Sequence, residues 1–91
     1  MNPIEETYKE ILKYSKYTDI DIKLNSRKRE IVEKRVLVSC VLYDMGYSME
    51  EISKVINKDR TTVYHYITNL RSFIEYKINI VNKILKTKNH E

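Results

Sequence analysis

An all-α domain of four to five helices is the architecture that this 91-residue sequence predicts. A single Gly and a single Pro leave little material for tight turns, which disfavours hairpins and favours long helices. Apolar residues recur at helical spacing through most of the chain. With 42% hydrophobic residues the chain can furnish one modest core, so we expect residues 1–91 to form a single domain.

The first helix is predicted over residues 3–16. Asn2 is a plausible N-cap, and proline at the first helical position is favourable. Over residues 17–25 apolar and polar side chains alternate as they would in a strand. Because no partner strand is available, a packed loop is expected there.

A second helix is expected to begin after Asn25 or Ser26 and to run to about Met45, with Gly46 as its left-handed stop. Its apolar residues cover more than one face, which predicts that it is the central, most buried helix. Cys40 lies inside it. As the only cysteine it can form no internal disulfide, and we expect an ordinary core residue in a reducing, cytoplasmic setting.

Two short helices are predicted next. Ser48 and Glu51 form a capping box, in which each side chain satisfies a free backbone donor of the other. Residues 57–58 break the first short helix, and Asp59 is expected to cap the second. Two short helices joined by a tight polar turn are the outline of a helix-turn-helix, here over residues 48–70.

The C-terminal extension, residues 71–87, continues a heptad pattern that begins in the last helix. The apolar members of this seam are Ile67, Leu70, Ile74, Ile78, Val81 and Leu85. Its second half could pack on the N-terminal helix, whose Glu residues could meet Lys77 and Lys83. It could equally pair with the same helix of a second chain, which would make the protein a homodimer.

Charge is unevenly distributed along the chain. Residues 1–22 carry three Lys and five Asp or Glu, whereas residues 23–71 carry ten basic and six acidic side chains. A basic middle suits a polyanion-binding face. No apolar run is long enough to span a membrane, and the N-terminus lacks the pattern of a signal peptide.

The last predicted helix has an exposed face opposite its apolar stripe. That face is short, uncharged and rich in hydrogen-bonding groups. Its members are Thr61, His65, Thr68 and Ser72, flanked by Thr62 and Asn69. Such side chains can approach base edges in the major groove. The alternative is a merely solvated face, but solvated faces in a chain with 33% charged residues are usually Lys and Glu.

The start of the second helix is strongly basic. Five cations fall within nine residues: Arg27, Lys28, Arg29, Lys34 and Arg35. Pairing with Glu30 and Glu33 would make this a salt-bridged surface. Cations are unfavourable at a helix N-terminus, however, so an external anion is favoured, and phosphate is the obvious candidate.

Three blocks of the chain carry a family resemblance: residues 26–35, residues 48–52 and residues 58–63. The last block, Lys-Asp-Arg-Thr-Thr-Val, is the most specific. Together they make residues 24–67 resemble the DNA-binding C-terminal domain of bacterial replication initiators of the DnaA family, where this block reads Asp-His-Thr-Thr-Val. The resemblance implies a Trp-repressor-like or DnaA-C-terminal-like fold that binds double-stranded DNA.

Site residues follow from the resemblance by position. Bases in the major groove would be contacted by Asp59, Thr61 and Thr62. An arginine before the second helix, Arg27 or Arg29, would enter the minor groove, and Arg35 and Lys58 would hold phosphates. Arg60 stands where the family has histidine, so it could pair with a guanine edge and change the preferred site. The turn before Asp59 is shorter than in the family and lacks its glycines.

The same sequence argues against catalysis. One glycine cannot build the phosphate loop of an initiator ATPase, and no triad or zinc spacing is present, so no cofactor or small-molecule substrate is expected. The expectation is a DNA-reading module that stands alone in replication or transcription control, as in a phage or mobile element. One rival is a protein-interaction module that docks an acidic host replication or transcription protein. Another is a transcription regulator that resembles the DNA-binding ends of sigma factors.

Overall fold

The computed structural model describes the backbone of residues 3–89 and the side chains of residues 3–87. Within that range every regular element is helical, which confirms the all-α prediction. The α-helices are α1 Pro3–Ser15, α2 Asp19–Lys23, α3 Arg29–Asp44, α4 Met49–Ile56, α5 Arg60–His65 and α6 Glu75–Asn89. A π-helical segment, Tyr66–Leu70, and a 3₁₀ segment, Arg71–Ile74, join α5 to α6.

Helix α1 confirms the first predicted helix to within one residue. Its predicted cap, Asn2, lies outside the described residues. The helix ends where Lys16 adopts the left-handed conformation, with φ of 61°, and the Tyr17 N–H donates to the Leu12 carbonyl at 3.0 Å. Its buried face consists of Ile4, Tyr8, Ile11 and Leu12.

The segment predicted as a packed loop contains the short helix α2, so that prediction is wrong for its middle residues. The Thr18 hydroxyl accepts from the Asp21 N–H at 3.2 Å, which caps the helix. Asp19 and Asp21 in the first turn also suit the positive end of the helix dipole. Ile22 is fully buried while Ile20 remains 75% exposed, so only one of these two apolar residues of α2 packs into the core.

The central helix α3 begins later than predicted. Its N-cap is Lys28, which makes no side-chain capping bond. Ser26, one of the two predicted caps, instead accepts from the Lys28 N–H at 3.2 Å and shapes the turn before the helix. Its burial confirms the prediction of a central helix, since residues 35–42 are all buried.

Gly46 ends α3 as predicted, with φ of 99°. The Gly46 N–H donates to the Tyr43 carbonyl at 3.0 Å, and the Tyr47 N–H donates to the Leu42 carbonyl at 3.2 Å. These paired bonds are a Schellman motif, which satisfies the last carbonyls of the helix.

The predicted helix-turn-helix is formed by α4 and α5. Both bonds of the capping box are present: the Glu51 N–H donates to Ser48 Oγ at 3.1 Å, and the Ser48 N–H donates to Glu51 Oε1 at 2.9 Å. The turn contains no glycine because Asn57 takes the left-handed conformation, with φ of 58°. Asp59 occupies the N-cap position of α5, but its carboxylate accepts no capping bond, contrary to expectation.

The tail packs within the chain, as one of the two predicted arrangements has it. Helix α6 lies against α1 and α3. Every seam residue except the half-buried Leu70 is buried in the core, so the seam is already covered. Lys77 reaches Glu33 of α3 at 3.9 Å. Among the described residues, none of the helices is long and apolar enough to cross a membrane.

Candidate nucleic-acid interface

The recognition helix consists of α5 and the π-helical segment, residues 60–70. Val63 and Ile67 are buried against the core. The predicted polar face lies on the opposite side: Thr61, His65, Thr68, Asn69 and Ser72 are exposed, and Thr62 is half-buried. We call Asp59, Arg60, Thr61, Thr62 and His65 the reading face.

The two threonines of the reading face differ from the other helical threonines in the hydrogen bonding of their hydroxyl groups. Thr7, Thr68 and Thr87 each donate to the carbonyl four residues earlier, at 2.8–3.0 Å. Thr61 and Thr62 lie in the first turn of α5, where no helical carbonyl stands four residues back. Within the described part of the chain their hydroxyls make no hydrogen bond, so they are available to an external partner.

His65 and Asn69 form a polar pair one turn apart, with Asn69 Nδ2 2.8 Å from His65 Nδ1. Both side chains are exposed, so the pair adds hydrogen-bonding groups to the surface of the recognition helix.

Charged groups surround the first turn of the recognition helix. Asp59 and Arg60 are exposed, and neither makes an ion pair with the side chains of residues 3–87. Burial lowers the pKa of Lys58, and the positive charge of Arg35 lowers it further, while Asp59 opposes the shift. A phosphate beside Lys58 would relieve this repulsion.

The structure divides the basic cluster that precedes and opens α3. Arg27 and Lys28 are exposed and make no side-chain bond with described residues. Arg29 donates to Glu33 at 3.0 Å, as the salt-bridge alternative expected, although its side chain stays 84% exposed. Lys34 pairs with Asp21 of α2 at 2.8 Å.

Arg35 does not have the phosphate-binding position that was expected of it. The residue is only 4% exposed. Its Nε donates to the Ile22 carbonyl at 3.0 Å, Nη2 donates to the carbonyls of Leu24 and, at 2.9 Å, of Ser26, and Nη1 donates to the Tyr66 hydroxyl at 3.3 Å. A buried guanidinium whose three nitrogens all donate inside the protein cannot reach a phosphate. We therefore no longer expect Arg35 to contact DNA.

Tyr66 is a residue of this region that the sequence analysis did not single out. It is 5% exposed, and its hydroxyl links the π-helical segment to the loop before α3 through Arg35. The seven other tyrosines are spread along the chain with no distinguishing pattern, so only the tertiary contact identifies it.

Arg71 is also basic but belongs to the scaffold. Its guanidinium donates to both carboxylate oxygens of Asp44, at 2.8 and 2.6 Å, and to Glu75 at 2.8 Å. Burial would raise the pKa of Asp44, but hydrogen bonds from Arg71 and Asn82 outweigh it and hold that pKa below its usual value. This cluster ties the end of α3 to the helices after residue 70.

Comparison with known families agrees with this geometry. The model of the bacterial DnaA protein helix-turn-helix, a DNA-binding domain, matches residues 4–69. The matched range extends beyond residues 24–67, which carry the resemblance in the sequence, and includes α1 from Ile4 onward and α2. No curated protein and no solved structure matches the chain. Because the matched residues make up most of its 91 residues, this chain belongs to the bacterial DnaA helix-turn-helix family.

Proposed function

We propose that this protein is a sequence-specific double-stranded-DNA-binding module that acts in replication or transcription control. The recognition helix enters the major groove, and the arm, which we define as residues 24–28, follows the adjacent backbone. The observation that carries the proposal is the first turn of the recognition helix. Arg60 and Thr61 are exposed and Thr62 is half-buried, and none of the three side chains makes a hydrogen bond or ion pair with the described residues. The other helical threonines of the described chain are all bonded to their own helix.

Base contacts come from the reading face. An arginine can pair with both acceptors of guanine, and an aspartate can accept from the amino group of cytosine. Arg60 and Asp59 have this chemistry. Thr61 and Thr62 offer hydroxyls to base edges and methyl groups to thymine. These contacts specify the sequence.

Backbone contacts come from cations that the protein leaves free. Arg27 and Lys28 project from the arm, and Lys58 stands beside the reading face. Arg27 is the arginine for the minor groove, because Arg29 is held by Glu33. Phosphate contacts of this kind position the protein and make its affinity depend on salt.

Selection of bound sites from random duplexes tests the proposal and defines the preferred site. Arg60→Ala and Thr61→Ala should each weaken binding to that site by on the order of 1–3 kcal/mol, with a much smaller loss on random DNA. Lys9→Ala, which removes an exposed cation from α1, serves as the control and should bind as the unmodified protein does. Equal losses on both DNAs would contradict base reading.

A further inference from the structure

The buried guanidinium of Arg35 connects the two elements that the proposed function places on DNA. On one side it holds the carbonyls of Leu24 and Ser26, which belong to the arm, and that of Ile22 just before it. On the other side it donates to Tyr66 of the recognition helix. We propose that Arg35 is a positioning residue, which fixes the arm relative to the recognition helix so that both contact one DNA site. This inference rests on the proposed function.

The chemistry of the contact favours arginine. Arg35 makes four hydrogen bonds to acceptors in α2, in the arm and in the recognition helix, and the planar fork of a guanidinium can span such a set. A lysine ammonium is a single point of charge and cannot reach both sides at once.

The setting shows that Arg35 is not an ordinary ion pair. Among the described residues it has no carboxylate within salt-bridge distance, and all of its acceptors are neutral. Burying a charge is costly unless it is well hydrogen-bonded, and the residues that follow it in α3 are almost all apolar. An apolar residue would suit this stretch of the helix, but it would leave the arm unattached.

A double-mutant cycle tests the proposal on the whole chain. Arg27→Ala should weaken binding to the preferred site by about tenfold in the unmodified protein. In an Arg35→Lys background the same change should cost less than about twofold, because an arm that is no longer fixed contributes little. Tyr66→Phe removes one acceptor of Arg35 without changing the charge. In this background, as in Arg35→Lys, Arg27→Ala should weaken binding less than it does in the unmodified protein. Ser39→Ala, one turn further along α3 and without a hydrogen bond, is the matched background in which the tenfold effect should persist.

All variants are compared well below their melting temperatures, where every variant is folded. A loss of stability alone then leaves the effect of Arg27→Ala on affinity the same in both backgrounds. A tenfold effect of Arg27→Ala in both the Arg35→Lys and the unmodified proteins would overturn the proposal. If Arg27→Ala is silent in the unmodified protein while Arg60→Ala still weakens binding, the arm does not touch DNA and the positioning role falls alone. If both changes are silent, the proposed function falls with it.

Discussion

The hydroxyl of Ser39 lies in the core, fully buried, with no hydrogen-bond partner among the described residues. A buried polar group without a partner costs about 1–3 kcal/mol. Ser39→Ala removes only the oxygen, so we expect the free energy of unfolding to rise by roughly 1 kcal/mol. Urea denaturation measures this. A fall of similar size would show that the hydroxyl is bonded in solution.

Arg27 and Arg29 are two residues apart but differ in their partners. Removing one cation that neutralises DNA phosphate charge, whether it lies at the backbone or in the minor groove, lowers the magnitude of the slope of log affinity against log salt by about 0.9. We expect that change for Arg27→Ala and a smaller one for Arg29→Ala, because Glu33 already pairs with Arg29. A salt series with each variant measures the slopes. Equal slopes in both variants would assign the two arginines the same role.

The candidate site could be predicted only where local spacing decides it. Val63 and Ile67 are the buried stripe of the recognition helix, and that stripe places Thr61 and His65 on the opposite side. The fate of the basic cluster could not be predicted in this way. Arg35 is buried because Tyr66, 31 residues away, and the loop carbonyls surround it. Such a contact between distant parts of the chain leaves no mark in local sequence.

Helix ends in this protein use the left-handed conformation at both glycine and other residues. A Cβ at Gly46 would meet no atom within 4 Å, so Gly46→Ala tests the backbone conformation alone. We expect it to destabilise the protein by about 1–2 kcal/mol. Lys16→Gly, at a position that already has a positive φ, should have the opposite sign. Thermal denaturation of both variants measures the two effects, and a neutral Gly46→Ala would contradict the strain argument.

Caps with side-chain partners were the predictable features of the helices. Ser48 and Glu51 are close in sequence and satisfy each other, so the start of α4 could be predicted to the residue. Helix α2 is too short to show a helical period, and its alternating residues imitate a strand. Helix α3 begins later than the sequence predicts because Lys28 caps it without a side-chain bond, while Arg35 fixes the loop before it.

Asp44 joins three parts of the molecule: the end of α3, the 3₁₀ segment through Arg71 and α6 through Asn82. Since the pKa of Asp44 is lowered in the folded state, its contribution to stability is present above the usual value of 3.8 and is lost as pH falls through the folded value. Asp44→Asn should therefore be less stable than the unmodified protein at neutral pH, and the difference should shrink as the pH drops below about 4. Urea denaturation across this range measures it; a difference independent of pH would contradict the charge-based role.

Helix α6 supplies Ile78, Val81 and Leu85 to the core shared with α1 and α3. Each buried aliphatic side chain contributes about 1.5–3 kcal/mol. Removal of residues 76–91 should therefore cost much of the stability of the domain, seen as a loss of helical circular dichroism.

Because the seam is covered within the chain, the full protein should sediment as a monomer. A full-length dimer that becomes a folded monomer on truncation would revive pairing through this seam.

The single cysteine, Cys40, can be used to measure local opening of the protein. Cys40 is fully buried, burial raises the pKa of its thiol to about 12, and its Sγ lies 3.9 Å from the carbonyl of Tyr66. A thiol reagent can modify a fully buried cysteine only after a local opening, and since Cys40 contacts the recognition helix, we expect the labelling rate to follow how often the junction between α3 and that helix opens. If the proposed function holds, DNA bound across both elements should slow the reaction. Cys40, which lies outside the proposed reading face, would then report how often the junction between α3 and the recognition helix opens, with and without DNA.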